Sequence, residues 1–403
     1  MKIKLLFFLL LVAGSVTAGE TPYVVLVSFD GFRHDYVERY NLPNFTKLIS
    51  RGAAAEALIP SFPSKTFPNH YTLITGLHPG HHGLVDNEFY DPQQKKMYST
   101  RNRKMVEDTS FYGGVPLWQL VQQHGMKSAS FYWVGSEAKV LGSFPDYYRL
   151  YDATVKNEER VEQTINWLRL PEGERPHFIS LYFSLVDHEA HTSGPTSAAT
   201  QKAVHTADSL LGMLMTKIET INLPVNLVVV SDHGLYEMKR EEKVFRYVNK
   251  LININDTAVV FANAGSQVHF YTKRVDSLYR ILKTQESGFK IYKQDEFPKH
   301  WHYGHVRSGD VLMVAEPGTY FLTAPRDLSK WEGTGNFGEH GYDPTLTKDV
   351  YGIFYAMGPN VKKGVRLKPF ENIHVYPFIA KMLGLKTPRI DGDVKVLEGI
   401  YKK

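Results

Sequence analysis

The sequence contains no cysteine among its 403 residues. The protein therefore forms no disulfide, holds no metal through a thiolate and uses no cysteine as a nucleophile. Exported animal proteins of this size usually carry disulfides, so the lack of cysteine favours a bacterial periplasmic protein.

The apolar run near the N-terminus is too short for a membrane helix. Residues 5–12 form this run, whereas a helix needs roughly 20 residues to cross a bilayer. Lys2 and Lys4 flank it on one side and the small residues 16–18 follow it, which is the pattern of a secretory signal. We expect residues 1–18 to be a cleaved signal peptide, and the protein to be exported, periplasmic or secreted, with no membrane span after signal removal.

A large charge of one sign is also absent. The formal net charge is +5, and removal of the two lysines of the signal lowers it to +3. Such a small excess does not indicate binding to nucleic acid or to a membrane surface, so we expect a small-molecule substrate and no nucleic-acid partner. The G-x-S-x-G elbow is missing too, which argues against a serine hydrolase of that class.

Buried strands alternate with helices along the chain. Hydrophobic residues make up 43% of the sequence, which is enough for a large core. Apolar β-branched runs predict strands at residues 23–29, 178–185, 226–230 and 350–357. Helical periodicity predicts helices at residues 158–168, 197–221 and 375–383. This order predicts an α/β fold, a doubly wound, mostly parallel sheet with helices on both faces, within one catalytic domain of residues 19–403.

One segment departs from the strand–helix alternation. Residues 244–322 contain short predicted strands at 259–262, 267–271 and 311–315 and one predicted helix at 275–285. This mixture predicts a small α+β insert in the larger domain.

Acidic residues and histidines follow the predicted strands, where the loops of a parallel sheet converge. Singly, each has an ordinary explanation, such as an aspartate capping a helix or Asp187 and His191 pairing on a helical surface. Together they supply oxygen and nitrogen ligands suited to two zinc ions that share a substrate oxygen. The six residues are Asp30, Asp187, His191, Asp232, His233 and His340.

A candidate nucleophile, Thr66, lies in the segment of residues 61–70. Pro68 suits the first turn of a helix, so Thr66 is expected just before a helix N-terminus, where free N–H groups favour an anion. The hydroxyl could instead serve only as an N-cap. As a nucleophile it would need a bound metal to favour its deprotonated form.

Six motifs, in this order, resemble those of the nucleotide pyrophosphatase/phosphodiesterase family, which belongs to the alkaline phosphatase superfamily. The resemblance extends from residue 24 to about residue 392 and implies an alkaline-phosphatase-like fold. The motifs are S-F-D-G-F-R (28–33), K-T-F-P-N-H-Y (65–71), H-G-L-V-D-N (82–87), D-H-E-A-H-T-S-G-P (187–195), S-D-H-G (231–234) and E-H-G-Y-D (339–343).

The resemblance implies a role for each site residue. One zinc would be held by Asp187, His191 and His340, and a second by Asp30, Asp232 and His233 together with the oxygen of Thr66. Thr66 would form a covalent intermediate. Asn87 would bind a phosphate oxygen, although it could instead stabilise a turn. Phe67 would form one side of the slot for the base, and the aromatic run of residues 144–151 would form the other, with Tyr147 favoured over Tyr148 and Tyr151. Core packing is an equal explanation for Tyr147.

Two motifs depart from the family pattern. Residues 187–191 read D-H-E-A-H where the family usually has D-S-S-G-H, and residues 132–135 read Y-W-V-G for the usual F-W-P-G. Both changes affect substrate preference more than chemistry. The expected activity is cleavage of nucleotide phosphodiester and pyrophosphate bonds, for example ATP to AMP and pyrophosphate. The alternatives are a zinc phosphomonoesterase, a choline or lysophospholipid phosphodiesterase, and an inactive exported binding protein.

Overall fold

The computed structural model describes residues 21–327 and 335–403, so the predicted signal peptide lies outside the described residues. None of the helices within these ranges is long and apolar enough to cross a membrane. The strands are β1 (Tyr23–Phe29), β2 (Ala53–Ala55), β3 (Leu58–Ile59), β4 (Glu88–Asp91), β5 (Lys96–Ser99), β6 (Lys127–Phe131), β7 (Tyr147–Arg149), β8 (Pro176–Phe183), β9 (Val225–Val230), β10 (Tyr236–Lys239), β11 (Phe245–Tyr247), β12 (Val260–Asn263), β13 (Gln267–Tyr271), β14 (Phe289–Lys293), β15 (Val311–Ala315), β16 (Tyr320–Leu322), β17 (Asn336–Glu339), β18 (Phe354–Met357), β19 (Val365–Leu367) and β20 (Phe370–Glu371).

The helices vary from single turns to the 22 residues of α9. They are α1 (Tyr36–Tyr40), α2 (Pro43–Arg51), α3 (Thr66–Thr75), α4 (Pro79–His82), α5 (Arg103–Val106), α6 (Leu117–Gln123), α7 (Asn157–Leu168), α8 (Leu185–Ser193), α9 (Ala198–Glu219), α10 (Val248–Leu251), α11 (Val275–Lys283) and α12 (Val375–Met382).

The central sheet has eight strands in the order β19-β2-β18-β9-β1-β8-β6-β7. Strand β1 lies in its interior, parallel to β8 on one side and to β9 on the other. All seven residues of β1 are buried, as the unbroken apolar run of residues 23–29 predicts. Strand β18 is antiparallel to both of its neighbours, so the sheet is mixed but mostly parallel.

Helices cover both faces of the sheet because successive side chains of each strand point to opposite sides. Val24 and Leu26 belong to one apolar cluster, to which α3, α6 and α12 contribute. Val25 and Val27 belong to another, to which α2, α7 and α9 contribute. The prediction of a doubly wound α/β fold is confirmed.

Several predicted boundaries are displaced where a turn or helix begins. The strand predicted at 178–185 is β8 (Pro176–Phe183), since α8 starts at Leu185. The strand predicted at 350–357 is shorter because residues 348–350 form a 3₁₀ turn before β18. Thr66 was expected just before a helix and is instead the first residue of α3.

The segment predicted as an insert contains a separate antiparallel sheet of four strands in the order β12-β13-β15-β14. Strands β13 and β15 have the predicted bounds, and α11 begins at the predicted Val275. Alternating residues of these strands form a third apolar cluster together with Leu278 and Leu282 of α11.

Arg307, in a 3₁₀ turn beside this small sheet, ties it to the larger domain. Its Nε donates to Asp91 Oδ2 at 2.8 Å, and both side chains are buried. The other guanidinium nitrogens donate to three carbonyl oxygens, those of Gly83, Ser110 and Phe111. Each of the three guanidinium nitrogens therefore donates at least one hydrogen bond within the protein.

We expect Arg307→Ala to lower the free energy of unfolding by about 3–5 kcal/mol, because the buried Asp91 carboxylate would lose its cationic partner and keep only the neutral donors of Gln93 and Gln94. Urea denaturation followed by circular dichroism measures this change. The matched control is Arg274→Ala, which removes an exposed ion pair with Asp256 and should cost below about 1 kcal/mol. Equal losses in the two variants would contradict a structural role for the buried pair.

Candidate active site

The predicted metal ligands converge at the carboxyl ends of three adjacent strands. Asp30 follows β1, and Asp232 and His233 follow β9. Asp187 lies in the first turn of α8, immediately after β8. Since β8, β1 and β9 are neighbours in the sheet, residues far apart in sequence meet in one place.

Asp187, His191 and His340 form one compact group. The Nε2 atom of His191 lies 3.3 Å from Asp187 Oδ1 and 3.1 Å from His340 Nε2. The Asp187 Oδ1 to His340 Nε2 distance is 3.9 Å. Asp187 and His191 do lie one helical turn apart, as a surface pair would. However, their polar atoms face His340 inside the protein rather than each other alone.

Asp30, Asp232 and His233 form a second group beside the first. His233 Nε2 lies 3.0 Å from Asp232 Oδ2 and 3.6 Å from Asp30 Oδ1. The hydroxyl of Thr66 is 3.1 Å from the same nitrogen. The rings of His233 and His340 stack at 3.8 Å, so His233 lies between the two groups and its ligand atom is also close to those of Asp187 and His340.

These residues fit metal ions. In a tetrahedral zinc site with bonds of about 2.0–2.1 Å, neighbouring ligand atoms lie about 3.3–3.4 Å apart, close to most of the distances above. Three buried carboxylate oxygens also accept no well-directed hydrogen bond, although imidazole nitrogens lie 3.0–3.6 Å from them; they are Asp30 Oδ1, Asp187 Oδ1 and Asp232 Oδ2. A buried carboxylate oxygen without a well-directed donor is costly, and a cation is the partner that would satisfy it.

The electrostatics of the site indicate the same need for positive charge. Burial and the nearby carboxylates of Asp232 and Asp187 raise the pKa of Asp30 well above its usual range. Burial holds the pKa of His340 well below its ordinary value, and His233 adds to this effect. Burial opposes protonation of His191 as well, but Asp187 outweighs it and raises the pKa of His191 to about 9. A bound cation would displace this proton and relieve the repulsion among the acids.

Thr66 begins α3, so its hydroxyl lies where the helix leaves backbone N–H groups without helical partners. One of these, Phe67 N–H, donates to Asn87 Oδ1 at 3.1 Å. The side-chain oxygen of Asn87 thus accepts a hydrogen bond from the helix N-terminus. Its side-chain nitrogen, Nδ2, has no hydrogen-bond partner among the residues that the structure describes. The predicted nucleophile and the predicted phosphate-binding residue are therefore brought together.

A cleft of about 1080 Å³ opens onto this site. Asn87, Asp187, His191 and His340 line it, and so does Tyr151. His188 also lines the cleft, and its side chain is exposed. Phe67 is half-buried against the apolar cluster around α3.

The structure does not bring Tyr147 to the cleft. Tyr147 is the first residue of β7, and its hydroxyl donates to the carbonyl of Glu174 at 3.0 Å, just before β8 begins. It therefore lies at the amino ends of the strands, opposite the site. Tyr151 follows β7 at the carboxyl end and lines the cleft, so it replaces Tyr147 as the candidate aromatic partner.

Two residues near the site were not predicted. His70 lies one turn after Thr66 on α3, and its Nδ1 is 3.2 Å from Asp232 Oδ2. The i, i+4 spacing from Thr66 was a signal that could have identified it. The hydroxyl of Tyr182 donates to Asp30 Oδ2 at 2.6 Å. The sequence carries no signal for this contact, which depends on the pairing of β8 with β1.

The sequence is also similar to those of known proteins. The family model described as "Type I phosphodiesterase / nucleotide pyrophosphatase" matches residues 24–343. Human ectonucleotide pyrophosphatase/phosphodiesterase family member 1 is 34% identical over 388 residues, covering 92% of this chain and 40% of the relative. Venom phosphodiesterase of Macrovipera lebetinus is 34% identical over 394 residues, covering 95% of this chain and 46% of the relative. This chain spans less than half the length of these curated relatives.

A solved structure resembles the chain over nearly its whole length. Murine ectonucleotide pyrophosphatase/phosphodiesterase 5, as an inactive threonine-to-alanine variant in complex with AMP, superimposes with a TM-score of 0.87 at 28% identity. The match covers 94% of this chain and all of that one.

Proposed function

The chain belongs to the type I phosphodiesterase/nucleotide pyrophosphatase family, and on that premise we propose that it is a two-zinc hydrolase of nucleotide phosphodiester and pyrophosphate bonds. The observation that carries the proposal is the position of Thr66. Its hydroxyl lies at a helix N-terminus, 3.1 Å from His233 Nε2, beside buried carboxylate oxygens that accept no well-directed hydrogen bond.

Six side chains would hold the two zinc ions. Asp187, His191 and His340 would hold one, and Asp30, Asp232 and His233 the other. A donor set of oxygen and imidazole nitrogen, without thiolate, suits zinc. When bound, the ions would stabilise negative charge on the phosphate and favour the deprotonated form of a hydroxyl.

Thr66 would act as the nucleophile. Its Oγ1 forms a bond to phosphorus, the bond from phosphorus to the leaving oxygen breaks, and the hydroxyl proton passes to solvent. Water then hydrolyses the phosphothreonine ester and restores the hydroxyl. The murine relative that is inactive as a threonine-to-alanine variant and binds AMP supports a threonine in this role.

Asn87 would favour a diester over a monoester. Its free Nδ2 amide is a neutral donor, suited to an oxygen of a singly charged diester. A monoester presents a further anionic oxygen, which a neutral amide and the apolar ring of Phe67 would stabilise poorly. Stacking of a base between Phe67 and Tyr151 would add about 1–3 kcal/mol of binding.

The substrate class is tested with a panel read by product mass. We expect a p-nitrophenyl ester of a nucleotide to be cleaved about 10–100-fold faster than p-nitrophenyl phosphate, since one poorly satisfied charged group costs about 1–3 kcal/mol. Attack on the phosphorus attached to the nucleoside should convert ATP to AMP and pyrophosphate.

A Thr66→Ala preparation purified in the same way controls for contaminating hydrolases. A faster monoester, or ADP as first product from ATP, would favour a zinc phosphomonoesterase. The panel also includes glycerophosphocholine. Faster cleavage of this choline ester than of the nucleotide esters would indicate a phosphodiesterase of lipid head groups instead.

We also propose that the protein is exported to the periplasm or secreted. The proposal rests on the charged, apolar and small-residue pattern of residues 1–18.

A further inference from the structure

A fully buried histidine joins the small antiparallel sheet to the Asn87 segment. His269 is the third residue of β13, and its Nε2 lies 3.0 Å from Asp86 Oδ2. Its Nδ1 lies 3.1 Å from the carbonyl oxygen of Ser308. Both ring nitrogens therefore lie within hydrogen-bond distance of an oxygen atom, and the ring bridges Asp86 and Ser308.

The second oxygen of Asp86 holds Asn87. Asp86 Oδ1 accepts the backbone N–H of Asn87 at 2.7 Å, so one carboxylate bridges His269 and Asn87. The backbone carbonyl oxygen of Asn87 accepts a hydrogen bond from Thr100 N–H at 3.1 Å, and the side-chain oxygen Oδ1 accepts one from Phe67 N–H. These contacts set the direction of the remaining amide, Nδ2.

The same strand and the turn before it contact the other parts of the site. Gly341, next to His340, has φ +104°, and a Cβ at this position would lie 2.0 Å from Ser266 Oγ. Only glycine allows the segment that carries His340 to approach the turn before β13 so closely. The contacts are Lys65 Nζ to Ala264 O at 2.8 Å, Ser266 Oγ to His340 O at 2.9 Å and Gln267 Nε2 to Gly341 O at 2.6 Å.

We propose that His269 is a positioning residue, which fixes the Asn87 amide against the substrate phosphate through the buried pair with Asp86. The proposal rests on the function proposed above and assigns a role to the small sheet. A displaced Asn87 would still allow the metal ligands to assemble, because within the described residues Asp86 makes no hydrogen bond or ion pair with any of them. Loss of the contact between His269 and Asp86 should therefore lower kcat and leave zinc binding unchanged.

Two near-isosteric variants separate the contacts of His269. In His269→Gln the amide nitrogen can replace Nε2 and keep the donor to Asp86, whereas in His269→Asn it can replace only Nδ1 and keep the donor to Ser308. We expect His269→Asn to lower kcat about 10–100-fold. This decrease is no larger than the one caused by removing a hydrogen-bond donor to the transition state altogether. His269→Gln should stay within about fivefold of the parent, and zinc content and KM should change little in either.

A double-mutant cycle with Asn87→Ala decides whether the effect acts through Asn87. Once Asn87 is Ala, His269→Asn should cause no further loss of kcat. If the decreases in kcat of the two single variants multiply fully in the double variant, the proposal is wrong. A His269→Asn variant with a lowered melting temperature and an unchanged kcat would also overturn it. If His269→Asn does not fold, Asp86→Ala breaks the same bridge and enters the same cycle.

The two proposals fail differently. If the proposed function is wrong, the parent protein shows no nucleotide phosphodiesterase activity in the panel. If only the role of His269 is wrong, the parent is active and the Asn and Gln variants do not differ in kcat.

Discussion

Thr66→Ala is expected to reduce kcat for nucleotide diesters by about 10³-fold or more while zinc content and the far-UV circular dichroism stay unchanged. The reason is that the substitution removes the only atom of Thr66 that would bond to phosphorus, and loss of a covalent nucleophile costs several orders of magnitude in rate. Six other side chains remain to hold the metals. Steady-state kinetics with zinc analysis by mass spectrometry measures both quantities.

Thr66→Ser is the matched control, because it keeps a hydroxyl at the start of α3 and loses only a methyl group. It should be at least about tenfold more active than Thr66→Ala. Rapid acid quenching should trap a nucleotidyl adduct on the parent protein and none on Thr66→Ala. Near-parental activity of Thr66→Ala would show that water or another residue attacks phosphorus.

Asp187→Ala and His340→Ala should each lose zinc and activity together. Each residue supplies one of the three atoms of a group whose mutual distances are 3.1–3.9 Å, so its removal leaves two ligands. Removal of a residue that hydrogen-bonds to a zinc ligand lowers zinc affinity about 10–100-fold, and removal of a ligand itself should lower it further. We expect zinc affinity to fall by at least about 100-fold and activity to fall with it. Competition with a chromogenic chelator measures the affinity.

His188→Ala is the matched control for the metal measurement. His188 is adjacent to Asp187 but exposed, and on α8 it points about 100° away from it, so it should not contribute a ligand. Its loss should leave the zinc content unchanged. Full zinc occupancy in both Asp187→Ala and His340→Ala would show that the proposed ligand set is wrong, and occupancy that falls in His188→Ala would add His188 to the set.

The fold was predictable where burial leaves an unambiguous pattern. Residues 23–29 read as a strand because β1 is covered on both faces and can contain only apolar or small residues. The boundaries after β8 and before β18 were harder, because Leu185 and Val350 are as apolar as the strands beside them but belong to a helix and a 3₁₀ turn. Hydrophobicity alone does not distinguish these cases.

The site was predictable where chemistry is concentrated in short motifs. Asp30, Asp187, Asp232 and their histidine neighbours stand after strands, and parallel strands bring such positions to one edge. The sequence could not distinguish Tyr147 from Tyr151, because both belong to one aromatic run. Tyr147 begins β7, whereas Tyr151 follows the end of that strand.

By itself, the sequence determined the α/β class, the candidate nucleophile and the six candidate ligands, because local patterns and residue chemistry carry that information. Only the tertiary structure decided which atoms meet: that His233 lies between the two groups, that Tyr182 reaches Asp30, and that His269 of the small sheet supports Asn87 through Asp86. These contacts join residues far apart in the sequence, such as Asp86 and His269, which are 183 positions apart, and they depend on strand register and on the docking of two sheets. Neither leaves a local trace in the sequence, because the free energy that sets them is distributed over the whole core.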